Sequence, residues 1–282
     1  MRIASLKAIS SLFLVAFAFA TTALADNTFR QFLPENNLWK EDSLEVAPNV
    51  TEDLFNEVIK AGTTAYAEAA KQRKEGLIIN PLWDNSTVNA STRRVDGTVS
   101  INMYGGLARR EEITVEAFAL VMCHELSHAY GGAPYIRPET QIAAEGQADY
   151  IGAKECLNKV LPFVTKSDNQ LLNGDNGSIQ KICDRNFSKN ADENMLCVRK
   201  FSAGFSLGKL LAAVTTPPFT NPPPIPQYDT PDTEVTSDTI LTYPATIQCR
   251  LDTFAAGFLG WTQPSCWFKN GSKNNPVTGL AE

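Results

Sequence analysis

The sequence contains only two histidines among its 282 residues, His124 and His128, so chemistry that needs an imidazole must use these two. It has no basic excess either, since 25 Lys and Arg stand against 31 Asp and Glu and the formal net charge is −6. An acidic chain without a basic block is a poor candidate for binding nucleic acid or anionic lipid through bulk charge. With 43% hydrophobic residues, the composition is that of a globular protein and excludes a fully disordered or collagen-like chain.

The chain has no run of about 18 apolar residues beyond its N-terminal segment, so we expect no membrane-spanning helix in the remainder. Residues 1–25 contain Arg2 and Lys7, then an apolar run, then Ala23-Leu24-Ala25. This order is typical of a secretory signal peptide and its cleavage site, and an uncleaved N-terminal anchor is the alternative. The sequence therefore predicts a mature chain over residues 26–282, a secreted or periplasmic location, and no stable membrane insertion.

No Cys-x-x-Cys pair occurs among the six cysteines, so their spacing does not form a cysteine zinc motif. Export permits disulfides, and an even number of cysteines fits complete pairing. We favour Cys183–Cys197 and Cys249–Cys266 as local loops. Cys123 precedes His124, and one residue along a helix turns the side chain by about 100°. We therefore interpret Cys123 as a core or disulfide cysteine rather than as a metal ligand.

Capping and turn residues predict the first elements of the fold. Thr51 can cap a helix that runs to about Arg73. Asp96-Gly97 suits a two-residue turn with positive φ, so the apolar alternation on either side of it predicts a β-hairpin. The predicted strands cover residues 77–83, 91–95 and 98–104.

The remainder of the sequence is predicted to be mostly helical. Thr114 can cap a helix that ends at Gly131-Gly132. Proline and a lack of periodicity predict an extended loop over residues 214–232. Further helices are predicted over residues 139–160, within residues 178–213, and over residues 251–259. Together these elements predict an α+β fold with a small antiparallel or mixed sheet, in a single domain over residues 26–282.

The two histidines lie in the run His124-Glu125-Leu126-Ser127-His128, inside the helix that Thr114 caps. Residues four apart lie on one face of a helix, so both imidazoles can reach one metal ion while Glu125 points into the same cleft. Zinc accepts such nitrogens, and catalytic zinc sites usually keep one position open for water. The run predicts a centre for one zinc ion, with two ordinary helix histidines as the alternative.

A third protein ligand is expected, and no third histidine exists. The next predicted helix contains Glu145 and Asp149, which are also four residues apart and therefore share a face. Glu145 can supply a carboxylate oxygen to the metal, and Asp149 can accept the outer N–H of a ligand imidazole. A solvated acidic face is the alternative interpretation. Small residues on this helix, Ala148 and Gly152 among them, favour a close approach to the histidine helix.

These motifs resemble the gluzincin metallopeptidases, and most closely the HtpX and CAAX-prenyl-protease type with its small soluble relatives. That type has a strand, a Gly-Leu segment, the HExxH helix and a helix with Glu-x-x-Ala-Asp, and a later patch with His-Pro followed by Arg-Leu. The counterparts here are Ile101-Asn102-Met103-Tyr104, Gly106-Leu107, the run from His124 to His128, the run from Glu145 to Asp149, and Tyr243-Pro244 with Arg250-Leu251.

The resemblance implies a zincin-like fold with zinc held by His124, His128 and Glu145. The sequence differs from that family in three respects. No transmembrane helix is predicted after the signal peptide, the gap between His128 and Glu145 is short, and Tyr243 stands where the family usually has His. These differences place the membrane-linked roles of the family in doubt, but not the metal site.

The resemblance and the chemistry of the residues imply Glu125 as the general base for a metal-activated water. Tyr243 is the first candidate for the donor to the oxyanion, with Tyr150 and Tyr135 as alternatives. Tyr243 can equally be an aromatic packing residue before a proline. Arg250 is expected to bind an acidic residue such as Asp149 rather than the substrate.

The strand over residues 98–104 is expected to be the edge to which an extended substrate adds as a further strand. Asn102 and Tyr104 would then contact the substrate, and a merely structural edge strand is the alternative. The sequence thus predicts a zinc-dependent endopeptidase whose partner is a peptide or an exported or unfolded protein. The alternatives are a zinc-stabilised binding or chaperone-like module without turnover, and a zinc amidohydrolase or exopeptidase.

Overall fold

The computed structural model describes residues 29–42, 49–166, 175, 177–214, 223–244 and 246–273. About half of these residues are helical, and the strands form one small mixed sheet, so the predicted α+β class is confirmed at that level. The predicted signal peptide and residues 215–222 of the proline-rich loop lie outside the described residues.

The described sheet has four strands: β1 (Phe29–Gln31), β2 (Gly76–Leu82), β3 (Ala90–Val95) and β4 (Thr98–Tyr104). Their order in the sheet is β1-β3-β4-β2. Strands β3 and β4 form the predicted hairpin, in which Asp96 has φ 49° and Gly97 has φ 71°. β1 pairs antiparallel with β3, and β2 pairs parallel with β4.

The prediction that β4 is the substrate edge is wrong. β4 is an inner strand, because β3 occupies one side of it and β2 occupies the other. The side-chain amide of Asn102 accepts a hydrogen bond from Asn80 on β2 at 2.9 Å and donates one to Ser91 on β3 at 3.1 Å. Asn102 and Tyr104 therefore offer no free main-chain edge to a substrate. The edges of the sheet are β1 and β2. β1 pairs with β3, and β3 packs against the helix that carries the two histidines.

Two helices begin where the capping residues predict. Thr51 and Thr114 each accept a hydrogen bond from a backbone N–H in the first turn, which satisfies one of the otherwise unpaired donors there. The helix predicted over residues 251–259 begins earlier than expected, at Ile247, because Thr246 caps it in the same way. The helices are α1 (Glu52–Arg73), α2 (Gly105–Ala108), α3 (Val115–Tyr130), α4 (Glu145–Ile151), α5 (Leu157–Val160), α6 (Ser178–Phe187), α7 (Ala191–Val214) and α8 (Ile247–Leu259).

The helix predicted over residues 139–160 begins six residues later than expected. The extended backbone of Ala143 and Ala144 forms hydrogen bonds from its N–H groups to the carbonyls of His128 and Pro134, both at 2.8 Å. These bonds replace helical ones, so α4 can begin only at Glu145. A π-helical turn, Gly152–Cys156, then joins α4 to α5.

Helix α3 is the centre of the core, because every residue from Val115 to Ala129 is buried. It packs against α1, α4, α7 and the sheet. The disulfide Cys123–Cys156 ties it to the π-helical turn, which confirms Cys123 as a disulfide cysteine. The two predicted local disulfides, Cys183–Cys197 and Cys249–Cys266, are also present.

None of the helices in the described ranges combines the length and apolar character that crossing a membrane needs.

Candidate metal centre

The site lies where α3 meets the first turn of α4. His124 and His128 are one helical turn apart on α3, and the Nε2 atoms of both face Oε2 of Glu145, at 3.4 Å and 3.6 Å. The three side chains are buried, and their ligand-type atoms lie within 4.8 Å of one another. The structure therefore brings together the three residues that the sequence predicts as metal ligands.

A close contact between the two helical segments brings Glu145 to the histidines. Gly152 lies directly against α3, since a Cβ atom there would come within 3.0 Å of the backbone nitrogen of His124. Any larger residue would push the segments apart, so the predicted close approach is confirmed. The hydrogen bond from the N–H of Ala143 to the carbonyl of His128 fixes the other end of the contact.

The outer nitrogens of both imidazoles have fixed partners. Nδ1 of His128 lies 2.9 Å from the carbonyl oxygen of Ala143, and Nδ1 of His124 lies 2.7 Å from Oδ1 of Asp149. A carbonyl oxygen and a carboxylate oxygen only accept hydrogen bonds, so both Nδ1 atoms must carry hydrogen. In the neutral imidazoles the lone pairs are then on the Nε2 atoms, which face Glu145.

Asp149 is held in turn by Arg250, as the sequence predicts. Nε and Nη2 of Arg250 donate to the two oxygens of the Asp149 carboxylate, both at 2.8 Å. The guanidinium lies 4.7 Å from the centre of the Phe32 ring, and that ring makes an edge contact with the imidazole of His124 at 5.3 Å. Phe32 follows β1, so the N-terminal strand helps to enclose the back of His124.

Glu125 follows His124 on α3, is fully buried, and lies near enough to His124, His128 and Glu145 to interact with them electrostatically. Its Oε2 accepts a hydrogen bond at 2.6 Å from the hydroxyl of Thr92 on β3. Its Oε1 has no hydrogen-bond partner in the part of the chain that the structure describes. The two oxygens of one carboxylate thus differ, because one is held by the sheet and the other is free to accept a proton.

The charges of the site shift the pKa values of its groups in opposite directions. Burial lowers the pKa of His124, but the adjacent Asp149 carboxylate outweighs burial and raises that pKa to about 9. Burial raises the pKa of Glu145, but His128 and His124 outweigh it and hold that pKa well below its usual range. For Glu125 burial dominates and raises the pKa. Glu145 is therefore the carboxylate that stays ionised, and Glu125 is the one disposed to take up a proton.

Besides Oε1 of Glu125, three buried polar atoms of the predicted ligands lack hydrogen-bond partners among the described residues: Nε2 of His124, Nε2 of His128 and Oε2 of Glu145. Leaving such atoms unpaired is costly, so their convergence fits a bound cation. Two imidazole nitrogens and one carboxylate oxygen form a ligand set of catalytic zinc sites, which leaves a fourth position for water. A second grouping, Asp232 with Cys249 and Cys266, offers no thiolate because its cysteines form a disulfide.

A cleft of about 280 Å³ opens beside Glu145. β1, Ile136 and the segment from Leu241 to Tyr243 form its walls. The hydroxyl of Tyr243 donates to the backbone carbonyl of Gln31 at 2.6 Å, and burial raises its pKa. Tyr150, an alternative oxyanion donor, instead donates its hydroxyl to the carbonyl of Trp261 at 2.5 Å.

Sequence reasoning missed three contributors to the site: Thr92, the carbonyl of Ala143, and Phe32. A signal existed for Thr92, since a polar residue occupied an inward position of a predicted strand. The other two contacts depend on the path of the loop after α3 and on the N-terminal strand, and no local pattern marks them.

Comparison with protein-family models, with curated proteins and with solved structures finds no match.

Proposed function

We propose that this chain is a zinc-dependent endopeptidase with a zincin-like fold of the gluzincin kind. The observation that carries the proposal is the convergence of three buried, unpaired donor atoms from His124, His128 and Glu145 beside the free Oε1 of Glu125. A purely structural zinc site has all four positions filled by the protein and has no use for a neighbouring carboxylate base. The set of residues therefore supports a hydrolytic role better than a structural one.

Zinc is the ion that this ligand set suits best, because imidazole nitrogens with one carboxylate are borderline donors rather than the all-oxygen set of calcium or magnesium. All six cysteines form disulfides, so thiolates do not compete for the metal. When bound, zinc acts as a Lewis acid that polarises the substrate carbonyl and lowers the pKa of water.

Glu125 is the general base in this proposal. Its Oε1 takes one proton from the attacking water as the oxygen of that water bonds to the carbonyl carbon of the substrate. When the carbon–nitrogen bond breaks, the same carboxyl returns the proton to the leaving amine. The raised pKa of Glu125 suits both transfers, because a carboxyl that titrates nearer to neutral pH accepts and releases a proton more readily.

Tyr243 is proposed as the donor to the oxyanion. It lines the same cleft as Glu145, and burial keeps its phenol protonated. Its hydroxyl would exchange the carbonyl of Gln31 for the developing oxyanion when substrate is bound.

A second candidate, a zinc hydrolase for short peptides or small amides, is favoured by the size of the cleft. At about 280 Å³, the cleft is slightly smaller than the range of about 300–1,000 Å³ that is typical of small-ligand pockets. The three disulfides fit an oxidising compartment, and we propose export through the N-terminal segment.

Cleavage of an unfolded protein and of a set of short peptides, with zinc content measured in parallel, tests the proposal. The chain over residues 26–282 is compared with Glu125→Gln and with Glu68→Gln, a control on the exposed face of α1. We expect about one zinc in all three proteins and internal cleavage by the parent and the control but not by Glu125→Gln. Cleavage of short peptides alone would favour the second candidate. Zinc without any cleavage would favour a binding module, and absence of zinc would refute the site.

A further inference from the structure

Thr92 joins the sheet to the side chain of the proposed base. Its hydroxyl lies 2.6 Å from Oε2 of Glu125 and 2.8 Å from the backbone carbonyl of the same residue. Thr92 and Glu125 are both fully buried, and a hydrogen bond in the protein interior is electrostatically stronger than one in water. The carboxylate is the stronger acceptor, because hydrogen bonds to an ionised group are shorter and stronger than those to a neutral carbonyl.

The position of Thr92 makes it a rigid support. It lies on β3, which is an inner strand, and it is paired with Arg30 on β1 and Ile101 on β4. A β-branched side chain has few χ1 options, so the hydroxyl keeps one direction. The carboxylate of a glutamate, in contrast, rotates broadly about its last side-chain bond when nothing holds it.

We propose that Thr92 is a positioning residue: its hydroxyl holds Oε2 of Glu125 so that Oε1 faces the water that attacks the substrate. The inference rests on the proposed function, because it assigns a role to a residue that contacts the base and not the substrate. The unequal partners of the two carboxylate oxygens support it, since Oε2 has a donor at 2.6 Å and Oε1 has none among the described residues.

If the Thr92 hydroxyl had a purely structural role, its important acceptor would be the backbone and not the carboxylate of Glu125. In that case the hydroxyl would serve only to fasten α3 to the sheet through the carbonyl of Glu125. Thr92→Val keeps the shape of the side chain and removes the donor, whereas Thr92→Ser keeps the donor. Thr253→Val is a matched control, because Thr253 is also fully buried and donates its hydroxyl to a helix carbonyl, that of Cys249, at 2.7 Å.

Steady-state kinetics of the zinc-loaded variants is the first test. We expect kcat of Thr92→Val to fall by about 10- to 100-fold, because a misplaced base loses catalytic geometry. KM and zinc content should match the parent. Thr92→Ser should recover most of kcat, and Thr253→Val should keep it. Parental kcat in Thr92→Val, or an equal loss in the Val and Ser variants, would overturn the proposal.

Thermal unfolding of the metal-free protein is the second test, and it needs no activity. Thr92→Val should lower the melting temperature of the parent by more than it lowers that of Glu125→Met, because Glu125→Met has already lost the carboxylate that the hydroxyl holds. Equal shifts in both backgrounds would show that the hydroxyl serves the backbone carbonyl, which overturns the proposal. If the parent cleaves nothing, the proposed function fails, and this cycle alone decides whether Thr92 holds Glu125.

Discussion

Asp149 holds the ligand imidazole of His124, with Oδ1 of Asp149 at 2.7 Å from Nδ1 of His124. The same oxygen accepts a hydrogen bond from Arg250 at 2.8 Å, so one carboxylate orients the imidazole and is itself held in place. A carboxylate that accepts the outer N–H of a metal-binding histidine fixes the tautomer and orientation of that histidine and increases its basicity.

Replacing Asp149 tests this relationship. We expect Asp149→Asn to weaken zinc binding by about 10- to 100-fold, since a neutral amide holds the imidazole less strongly. Competition with a chelator measures the affinity. Asp184→Asn, on the exposed surface of α6, serves as the control and should bind zinc like the parent. Equal affinities in the parent and Asp149→Asn would contradict the role of Asp149.

Arg250 should contribute to stability far more than a partly exposed arginine does. Arg250→Met leaves the Asp149 carboxylate buried without its main partner, and we expect the free energy of unfolding to fall by about 3–5 kcal/mol. Arg110→Met is the comparison, because its pair with Glu112 is 24% and 12% exposed and such pairs contribute under about 1 kcal/mol. Guanidinium unfolding of both variants measures the difference, and similar losses would count against the buried pair.

Tyr243→Phe should lower turnover without weakening metal binding. We expect turnover to fall by about 100- to 1,000-fold, the usual effect of removing one oxyanion donor, with no change in zinc affinity. Tyr150→Phe is the control, since its hydroxyl is bonded to the carbonyl of Trp261 and it does not line the cleft. Parental turnover in Tyr243→Phe would remove this residue from the mechanism.

Asp252 should make stability depend on pH. Burial on α8 raises its pKa from 3.8 to about 7, although hydrogen bonds from the N–H of Asp232 and the side chain of Gln248 act in the opposite direction. The folded protein then retains a proton that the unfolded chain has lost. The contribution of this group to the free energy of unfolding therefore decreases as pH rises from about 4 to about 7.

Asp252→Asn should remove that part of the pH dependence. Urea unfolding of the parent and the variant at about pH 5 and about pH 8 measures it. Asp238→Asn is a suitable control, because Asp238 is exposed and the hydrogen bond from Lys269 lowers its pKa instead. An unchanged difference between the two pH values in Asp252→Asn would show that Asp252 is not the group responsible.

The features that sequence predicts well here are those set by neighbouring residues. The turn at Asp96-Gly97 and the helix start after Thr114 follow from backbone conformation and capping, which act over two to four residues. The shared face of His124 and His128 follows from helix geometry alone. For the same reason the four-residue spacing of Glu145 and Asp149 predicts a shared helix face, whatever the path of the loop that precedes them.

The features that sequence did not predict depend on distant parts of the chain. Strand order is one, because β2 pairs with β4 although β3 lies between them in the sequence, and β2 thereby covers the predicted substrate edge. The late start of α4 is another, since hydrogen bonds of Ala143 and Ala144 to α3 and its loop replace helical ones. The contact of Thr92 with Glu125 joins residues 33 positions apart, and only the packing of α3 on the sheet produces it.

X-ray absorption spectroscopy of the zinc-loaded chain tests the metal centre most directly. We expect two imidazole nitrogens at about 2.0–2.1 Å and carboxylate or water oxygens at about 2.0–2.2 Å, without sulfur at about 2.3 Å. In His128→Ala, one imidazole contribution should be lost together with most of the affinity. A sulfur shell, an all-oxygen shell, or a spectrum that His128→Ala leaves unchanged would contradict zinc binding by His124, His128 and Glu145.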